Sequence, residues 1–376
     1  MHRACGDDAL KALLLVGGFG TRLRPLTDTR PKALLPLGTS TLIEYVIDGL
    51  KAHKIQEIVL AAGDGIEKLK AALGEGEHLG VTLEYSRESK PLGTAGPIRQ
   101  AESYLRGTGA FFVLNGDIVA NMSYHQLLAF HQRHKATATI ALTRVADASR
   151  YGVVELAAGG RIRTFTEKPA PGSAPTNLVN AGCYVLDEDV LDLIPQGTES
   201  SIEREIFPRL CAERAVYGWE HRGLWIDTGT PESYLEANRA LLTTSMKTQR
   251  ETSLPPALLS MGTHVSPPVV TGEGGRVDPS STIGPYVALG RRVTIEAKAR
   301  IRDAIVFDDA VIGREAVVEH SVVGQGAVIG KGIHLEGLTL VGDEAVIETG
   351  SQIPAGARIR PNCRIRPGTT PADLLG

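Results

Sequence analysis

Hydrophobic and polar positions along this chain change their period about two thirds of the way through. From Leu10 to about Leu242, short apolar runs alternate with stretches whose apolar residues recur every three or four positions. These are the patterns of buried strands and of amphipathic helices. The runs predict strands at 13–16, 57–61, 81–85, 111–114, 137–143 and 184–186. The periodic stretches predict helices at 42–53, 66–73, 95–105, 124–134 and 201–211. A closing helix is predicted at 232–242, with Thr230 as its N-cap and Pro231 at its first position. Such alternation argues an α/β fold: a mostly parallel sheet with helices on both faces and ligands at the carboxyl ends of the strands.

After a stretch rich in Thr, Ser and Pro, 243–268, the period becomes six. Every sixth residue from Ile305 is aliphatic: Ile305, Val311, Val317, Val323, Ile329, Leu335, Val341, Ile347, Ile353, Ile359 and Ile365. An earlier run, Val277, Ile283, Leu289, Ile295, Ile301 and Phe307, keeps the same step but is offset by two, which predicts one irregular coil near Asp303. Hexads with one inward aliphatic suit a triangular parallel β-helix of three hexads per turn, whereas an ordinary sandwich would alternate with period two. This part is similar to the left-handed hexapeptide-repeat family. Stacked coils with an open end and flat faces predict a homo-oligomer.

With 376 residues the chain has room for two domains. The net charge of −3 is dispersed, with no basic stripe for nucleic acid and no amphipathic or long apolar segment for a membrane. A small anionic partner is expected. Cys5, Cys183, Cys211 and Cys363 lie far apart, which suggests neither a zinc site nor a disulfide framework and fits a reducing cytoplasm. Residues 1–10 read as a short tail.

The chemistry is concentrated where the first strand ends. Leu13 to Val16 lead into Gly17-Gly18-Phe19-Gly20-Thr21-Arg22-Leu23-Arg24-Pro25, with Pro31-Lys32 downstream. A glycine turn with free backbone N–H groups can cradle phosphates, and two cations follow it. A dinucleotide fingerprint would need a third glycine at Leu23 and a helix free of Pro25 and Pro31, and a Walker A loop would need Gly-Lys-Ser/Thr. This arrangement suits a nucleoside triphosphate.

These residues, together with Asn115-Gly116-Asp117, Tyr151-Gly152-Val153-Val154, Glu167-Lys168-Pro169, Val179-Asn180-Ala181-Gly182 and Trp225-Ile226-Asp227-Thr228-Gly229, resemble the sugar-1-phosphate nucleotidyltransferases, the nucleotide-sugar pyrophosphorylases. The resemblance runs essentially the whole length and is greatest to the mannose-1-phosphate guanylyltransferases that carry a β-helix tail. One departure is Pro31-Lys32-Ala33, where that group commonly has Pro-Lys-Pro. The resemblance implies a Rossmann-like nucleotidyltransferase domain over 1–242, a linker over 243–268 and a left-handed β-helix over 269–376. It implies that Leu15, Gly17, Gly18, Gly20, Thr21, Glu88 and Gly93 hold the nucleotide and that Arg22 and Lys32 neutralise its phosphates. It implies likewise that Lys168 pairs with the sugar phosphate, that Glu167 and Asn180 take sugar hydroxyls, that the Gly152 backbone approaches the ring, and that Asp117 and Asp227 hold Mg2+. The implied reaction attacks the α-phosphorus with an oxygen that is already an anion, so it needs alignment and neutralisation rather than a Ser, Cys or His nucleophile.

The base is read from Glu88, five residues before Gly93, in the loop that resembles the base-reading loop. A carboxylate only accepts, and guanine offers N1–H and the N2 amino group side by side, so Glu88 points to GTP and, by resemblance, to mannose 1-phosphate. Two alternatives stay open: a UTP- or dTTP-dependent pyrophosphorylase for glucose or N-acetylglucosamine 1-phosphate, with acyl transfer by His320 or His334, and a non-catalytic scaffold. His125, His131 and His134 are expected on a solvated helix face, not as metal ligands.

Overall fold

The computed structural model describes residues 10–248 and 264–369. The predicted tail up to residue 9, residues 249–263 of the predicted linker, and 370–376 lie outside the described residues. The described chain divides into two compact units, one of residues 10–18 with 43–225 and one of 19–42 with 226–248 and 264–369.

In the first unit the opening strand, Lys11–Leu15, is central. It pairs in parallel with Glu57–Ala62 on one side and Ala110–Asn115 on the other, and Thr82–Arg87 continues the parallel run. Leu13 stands level with Val59 and Val113, and all three are buried. Burial on both faces explains why Lys11–Leu15, Glu57–Ala62 and Ala110–Asn115 read as unbroken apolar runs, whereas Thr82–Arg87 at the edge of this run alternates buried and exposed residues. Beyond Ala110–Asn115 the sheet continues with antiparallel neighbours, Leu178–Asp187, Gly152–Leu156 and Ile162–Glu167. The helix Ile66–Leu73 buries Ile66, Leu69 and Leu73, the face its spacing predicts.

One expectation is corrected on the helix Tyr124–His134. His131 is buried rather than solvated, because its two ring nitrogens have partners in Thr139 Oγ1 at 2.9 Å and Asp187 Oδ1 at 3.1 Å. A polar ring satisfied on both sides can sit under a sheet, which the helical period alone does not reveal.

In the second unit, parallel strand pairs stack in columns. Arg276 stands level with Thr294, then Val311, Val328, Val346 and Arg364, steps of 18, 17, 17, 18 and 18 residues. Three hexads per coil give a parallel β-helix. The inward ladder runs through Val277, Ile283, Leu289, Ile295 and Ile301, then Val306, Ile312 and Val318, then Val323, Ile329, Leu335, Val341 and Ile347. The offset of two is therefore not one irregular coil. It is two contractions of one residue each, at Asp303 and at His320, the two places where a seven-residue strand runs through the corner. Val311 and Val317 are only half-buried while Ile312 and Val318 are in the core. Adjacent aliphatic doublets, Ile305-Val306, Val311-Ile312 and Val317-Val318, hid this from the six-residue count.

The same two contractions appear in the corner residues. Tyr286, Arg292, Lys298, Asp303, Asp309, Glu315, His320, Gly326 and Gly332 all have positive φ, six apart except for five at Asp303 and at His320. Each non-glycine residue there costs about 1 kcal/mol, offset by coil-to-coil hydrogen bonds that every corner repeats.

The closing helix spans Pro231–Thr248, six residues beyond its predicted end. Thr230 Oγ1 accepts from Ser233 N and Ser233 Oγ accepts from Thr230 N, a reciprocal N-cap. Thr243 and Thr244 bond back to the carbonyls of Arg239 and Ala240, so hydroxyls that read as linker are satisfied on the helix. Arg239 pairs with Asp303, which also binds His320.

Candidate functional site

The predicted site residues fall into two groups, one in each unit. In the first unit the opening strand ends at Leu15, and Val16 N donates to Ala61 O before the chain turns at exposed Gly17 and Gly18. Glu88 follows the strand Thr82–Arg87 and is held by its own N–H on Ala62 O and by Leu92 N on its Oε2 at 3.2 Å. Its carboxylate lies across the glycine turn: a Cβ on Gly17 would stand 3.0 Å from Glu88 Oε1. Burial pushes the Glu88 carboxyl above the ordinary value of 4.5, and the Leu92 N–H opposes that only in part. A buried acceptor with a free edge beside a glycine turn suits a ligand that brings donors.

The loop 91–97 is fixed to the segment around Ser200. A Cβ on Gly93, whose φ is +75, would stand 2.4 Å from Ser200 O, and Ala95 N donates to the same oxygen. Glycine is required there by both backbone conformation and space. Asp117 follows the strand Ala110–Asn115 and is half-buried. Gly116 N donates to Leu15 O, and a Cβ at Gly116 would collide with Val16, which seats the turn bearing Asp117 against the end of the opening strand.

The sugar-phosphate candidates form their own cluster. Gly152 stands opposite Glu167 in the antiparallel pair, and its Cβ would lie 2.5 Å from the Phe165 ring and 2.9 Å from Glu167 Oε2. Glu167 is raised by burial first and by the charge of Glu203 second, while Lys168, 3.5 Å away, pulls it back. The Lys168 side chain is 60% exposed. Asn180 spans a bulge, its Nδ2 donating to Tyr184 Oη and its Oδ1 accepting from Gly182 N, both at 2.8 Å. One amide hydrogen and one lone pair remain for a ligand.

Two further groups belong to this cluster and carry no role in the sequence reading. Glu203, in the π-helical turn Ile202–Ile206, accepts from Thr94 and Ser201 and acts electrostatically on Glu167. Trp225 donates from Nε1 to Ala181 O and meets Tyr151 edge to face at 5.5 Å. Glu203 lies in a segment whose sequence suggested an ordinary helix, and Trp225 stands two residues before Asp227. Neither position has a periodicity that marks it.

In the second unit, Gly20 has φ +60 and lies between Thr27 and Lys32: its Cβ would be 3.0 Å from Thr27 Cγ2 and 3.1 Å from Lys32 Cβ. Thr27 Oγ1 donates to Gly20 O. Thr21 and Arg22 form the short turn Thr21–Leu23, which presents Arg22 to solvent, whereas Lys32 is buried. Asp227 and Arg22 meet at Gly229, where a Cβ would stand 2.9 Å from Asp227 Oδ1 and 2.5 Å from Arg22 Nη2. That glycine leaves a cradle between a carboxylate and a guanidinium which any side chain would fill. It suits a cation and a phosphate in contact with each other.

Among the described residues, no group of three or more His, Cys, Asp or Glu could hold a metal. Single hard carboxylates such as Asp117 and Asp227 fit a small divalent ion that takes its remaining ligands from water and substrate phosphates. No helix among the described residues is long and apolar enough to cross a membrane.

Residues 11–244 match the nucleotidyl transferase family and residues 265–370 match the GMPPB C-terminal domain. The chain is 38% identical over 296 residues to mannose-1-phosphate guanylyltransferase 1 of Arabidopsis thaliana, covering 78% of this chain and 80% of that one. It is 39% identical over 276 residues to the mannose-1-phosphate guanylyltransferase catalytic subunit beta of Dictyostelium discoideum, 73% of each chain. Among solved structures it resembles HddC of Yersinia pseudotuberculosis complexed with GMP-PN, with TM-score 0.53 and 22% identity, over 62% of this chain and 99% of that one, a likeness of fold.

Proposed function

We propose, from the premise that this chain belongs to the nucleotidyl transferase family, that it is a nucleotidyltransferase making GDP-mannose and pyrophosphate from GTP and mannose 1-phosphate. The relatives named for that reaction, at 35–39% identity over most of the chain, support the reaction class and the sugar. The observation that carries the base is Glu88, a buried acceptor laid against the Gly17 turn.

In the proposed reaction an oxygen of mannose 1-phosphate forms a bond to the α-phosphorus of GTP. The bond from that phosphorus to the oxygen bridging to the β-phosphorus breaks, and its electron pair leaves on pyrophosphate. No proton need be removed from the attacking oxygen, so the residues align and neutralise. Glu88 accepts from guanine N1–H and N2, and Leu15, Gly17, Gly18, Gly20, Thr21 and Gly93 line the nucleotide. Arg22 and Lys32 neutralise the triphosphate. Lys168 holds the incoming phosphate, Glu167 and Asn180 the sugar hydroxyls, and Gly152 lets the ring approach the backbone. Enzymes of this family use a divalent metal. We take it to be Mg2+, held by Asp117 and Asp227, which when bound lowers the charge repulsion between the two substrates.

The proposed domains are a nucleotidyltransferase domain over 1–242, a linker over 243–268 and a β-helix over 269–376, with a homo-oligomer formed through the β-helix; the closing helix runs into the linker as far as Thr248, and His264–Val265 already pair as a coil strand. The direct test is product analysis with GTP, mannose 1-phosphate and MgCl2. GDP-mannose and pyrophosphate in equal amounts are expected, and absence of the nucleotide sugar would overturn the reading.

A further inference from the structure

The segment 19–42 carries Gly20, Thr21, Arg22 and Lys32, yet it belongs to the same compact unit as the β-helix. The contacts responsible are specific. Arg358, on the coil strand Arg358–Ile359, donates from Nη1 to Arg22 O at 3.1 Å and to Arg24 O at 2.5 Å. These carbonyls lie within and just after the turn Thr21–Leu23. Further along the segment, Arg30 Nη2 donates to Asp343 Oδ2 at 2.6 Å and to Gln325 Oε1 at 3.0 Å. The guanidinium of Arg30 also lies 5.3 Å from the Phe307 ring centre. Thr29 Oγ1 donates to the same Asp343 oxygen, and Gln325 N donates to its other one. Gln325 and Asp343 are one coil apart, so two successive coils grip the segment between Arg22 and Lys32.

A three-residue 3₁₀ turn does not hold itself in place. This one begins at Gly20, which gives no side-chain cap; Thr27 Oγ1 and buried Leu23 hold it from within the segment, and the bonds of Arg358 to its carbonyls add an anchor from the β-helix. We propose that Arg358, backed by Asp343 and Gln325, is a positioning residue for nucleotidyl transfer, and that the β-helix fixes the direction in which the turn presents Arg22. This rests on the phosphate role given to Arg22 above. Both hydrogen bonds that Arg358 makes to this segment go to backbone carbonyls, so its influence on the segment runs through the turn that carries Arg22; its charge also acts on Glu232. Displacing a phosphate-binding cation by about 1 Å can cost up to a hundredfold in rate.

The test uses full-length Arg358→Ala and Arg358→Lys, read by kinetics and by amide hydrogen exchange. Arg358 is half-exposed, and its removal leaves two carbonyls that water can reach, so both variants should fold with wild-type circular dichroism. For Arg358→Ala, exchange across 19–32 should quicken while 57–62 stays protected. Its kcat should fall about tenfold with the KM for mannose 1-phosphate little changed, and Arg358→Lys should recover part of both effects. Unchanged exchange across 19–32, or faster exchange with unchanged kcat, would overturn the proposal. The exchange readout needs no substrate. A wild-type protein inactive with every nucleotide would therefore overturn the functional reading and the catalytic half of this one, while exchange still reports whether Arg358 holds the loop.

Discussion

Glu88 has its charge opposed by burial and its free carboxylate edge turned to the Gly17 turn. Because its folded pKa lies above the ordinary 4.5, the folded protein binds more protons than the unfolded chain between those two values. Stability therefore falls as pH rises through that window. Glu88→Gln keeps an oxygen for the Leu92 N–H and removes the buried charge. In thermal unfolding without ligand it should be more stable than wild type at pH 8 and equal to it at pH 4; a variant less stable at pH 8 would contradict this. The same substitution places an amide donor against guanine donors, so kcat/KM for GTP should fall about a hundredfold while UTP and dTTP are little affected. Asp227→Asn should fold normally and lose nearly all turnover, roughly a hundredfold or more, at every magnesium concentration in a titration. Gly229 lies outside the left-handed region, so Gly229→Ala should cost little stability, yet its methyl would displace Arg22 and Asp227 together and lower kcat by at least about tenfold. Glu88 and Asp227 are singled out in the sequence by the motifs that carry them, as expectations. The crowding at Gly229 is not legible there, because it joins positions 22, 227 and 229 through tertiary structure.

At the scale of elements, strand runs and helix faces were read correctly wherever one period dominated, as in the helix Ile66–Leu73. Reading failed where two signals overlapped. Aliphatic doublets conceal the contractions at Asp303 and His320, and the closing helix continues through threonines that read as linker because their hydroxyls are satisfied by the carbonyls four residues back. His131 is buried where helical spacing predicts a solvated face, because its partners, Thr139 and Asp187, come from outside its helix. The inward ladder of the β-helix gives a stability prediction that separates the two readings of the hexad. Ile312 is fully buried and Val311 half-buried, so Ile312→Ala should cost roughly 2–4 kcal/mol and Val311→Ala much less in urea unfolding. Equal losses would contradict the two-contraction register.

For the whole molecule, the six-residue repeat and the glycine turn were both visible in the chain, but their connection was not. The segment 19–42 belongs by sequence to the glycine-turn motif and by contact to the β-helix, through Arg358, Asp343 and Gln325, residues that no motif or period in the sequence marks. The positioning role proposed for the β-helix stands beside the homo-oligomer proposed through it, for which light scattering should give a solution mass above one chain. The central claim is transfer of a guanylyl group to a mannose phosphate. It is tested most directly by pyrophosphate release with magnesium, across all four ribonucleoside triphosphates and dTTP, each paired with mannose, glucose and N-acetylglucosamine 1-phosphates. Turnover confined to GTP with mannose 1-phosphate is the predicted result; a preference for UTP or dTTP, or no release with any pair, would contradict it.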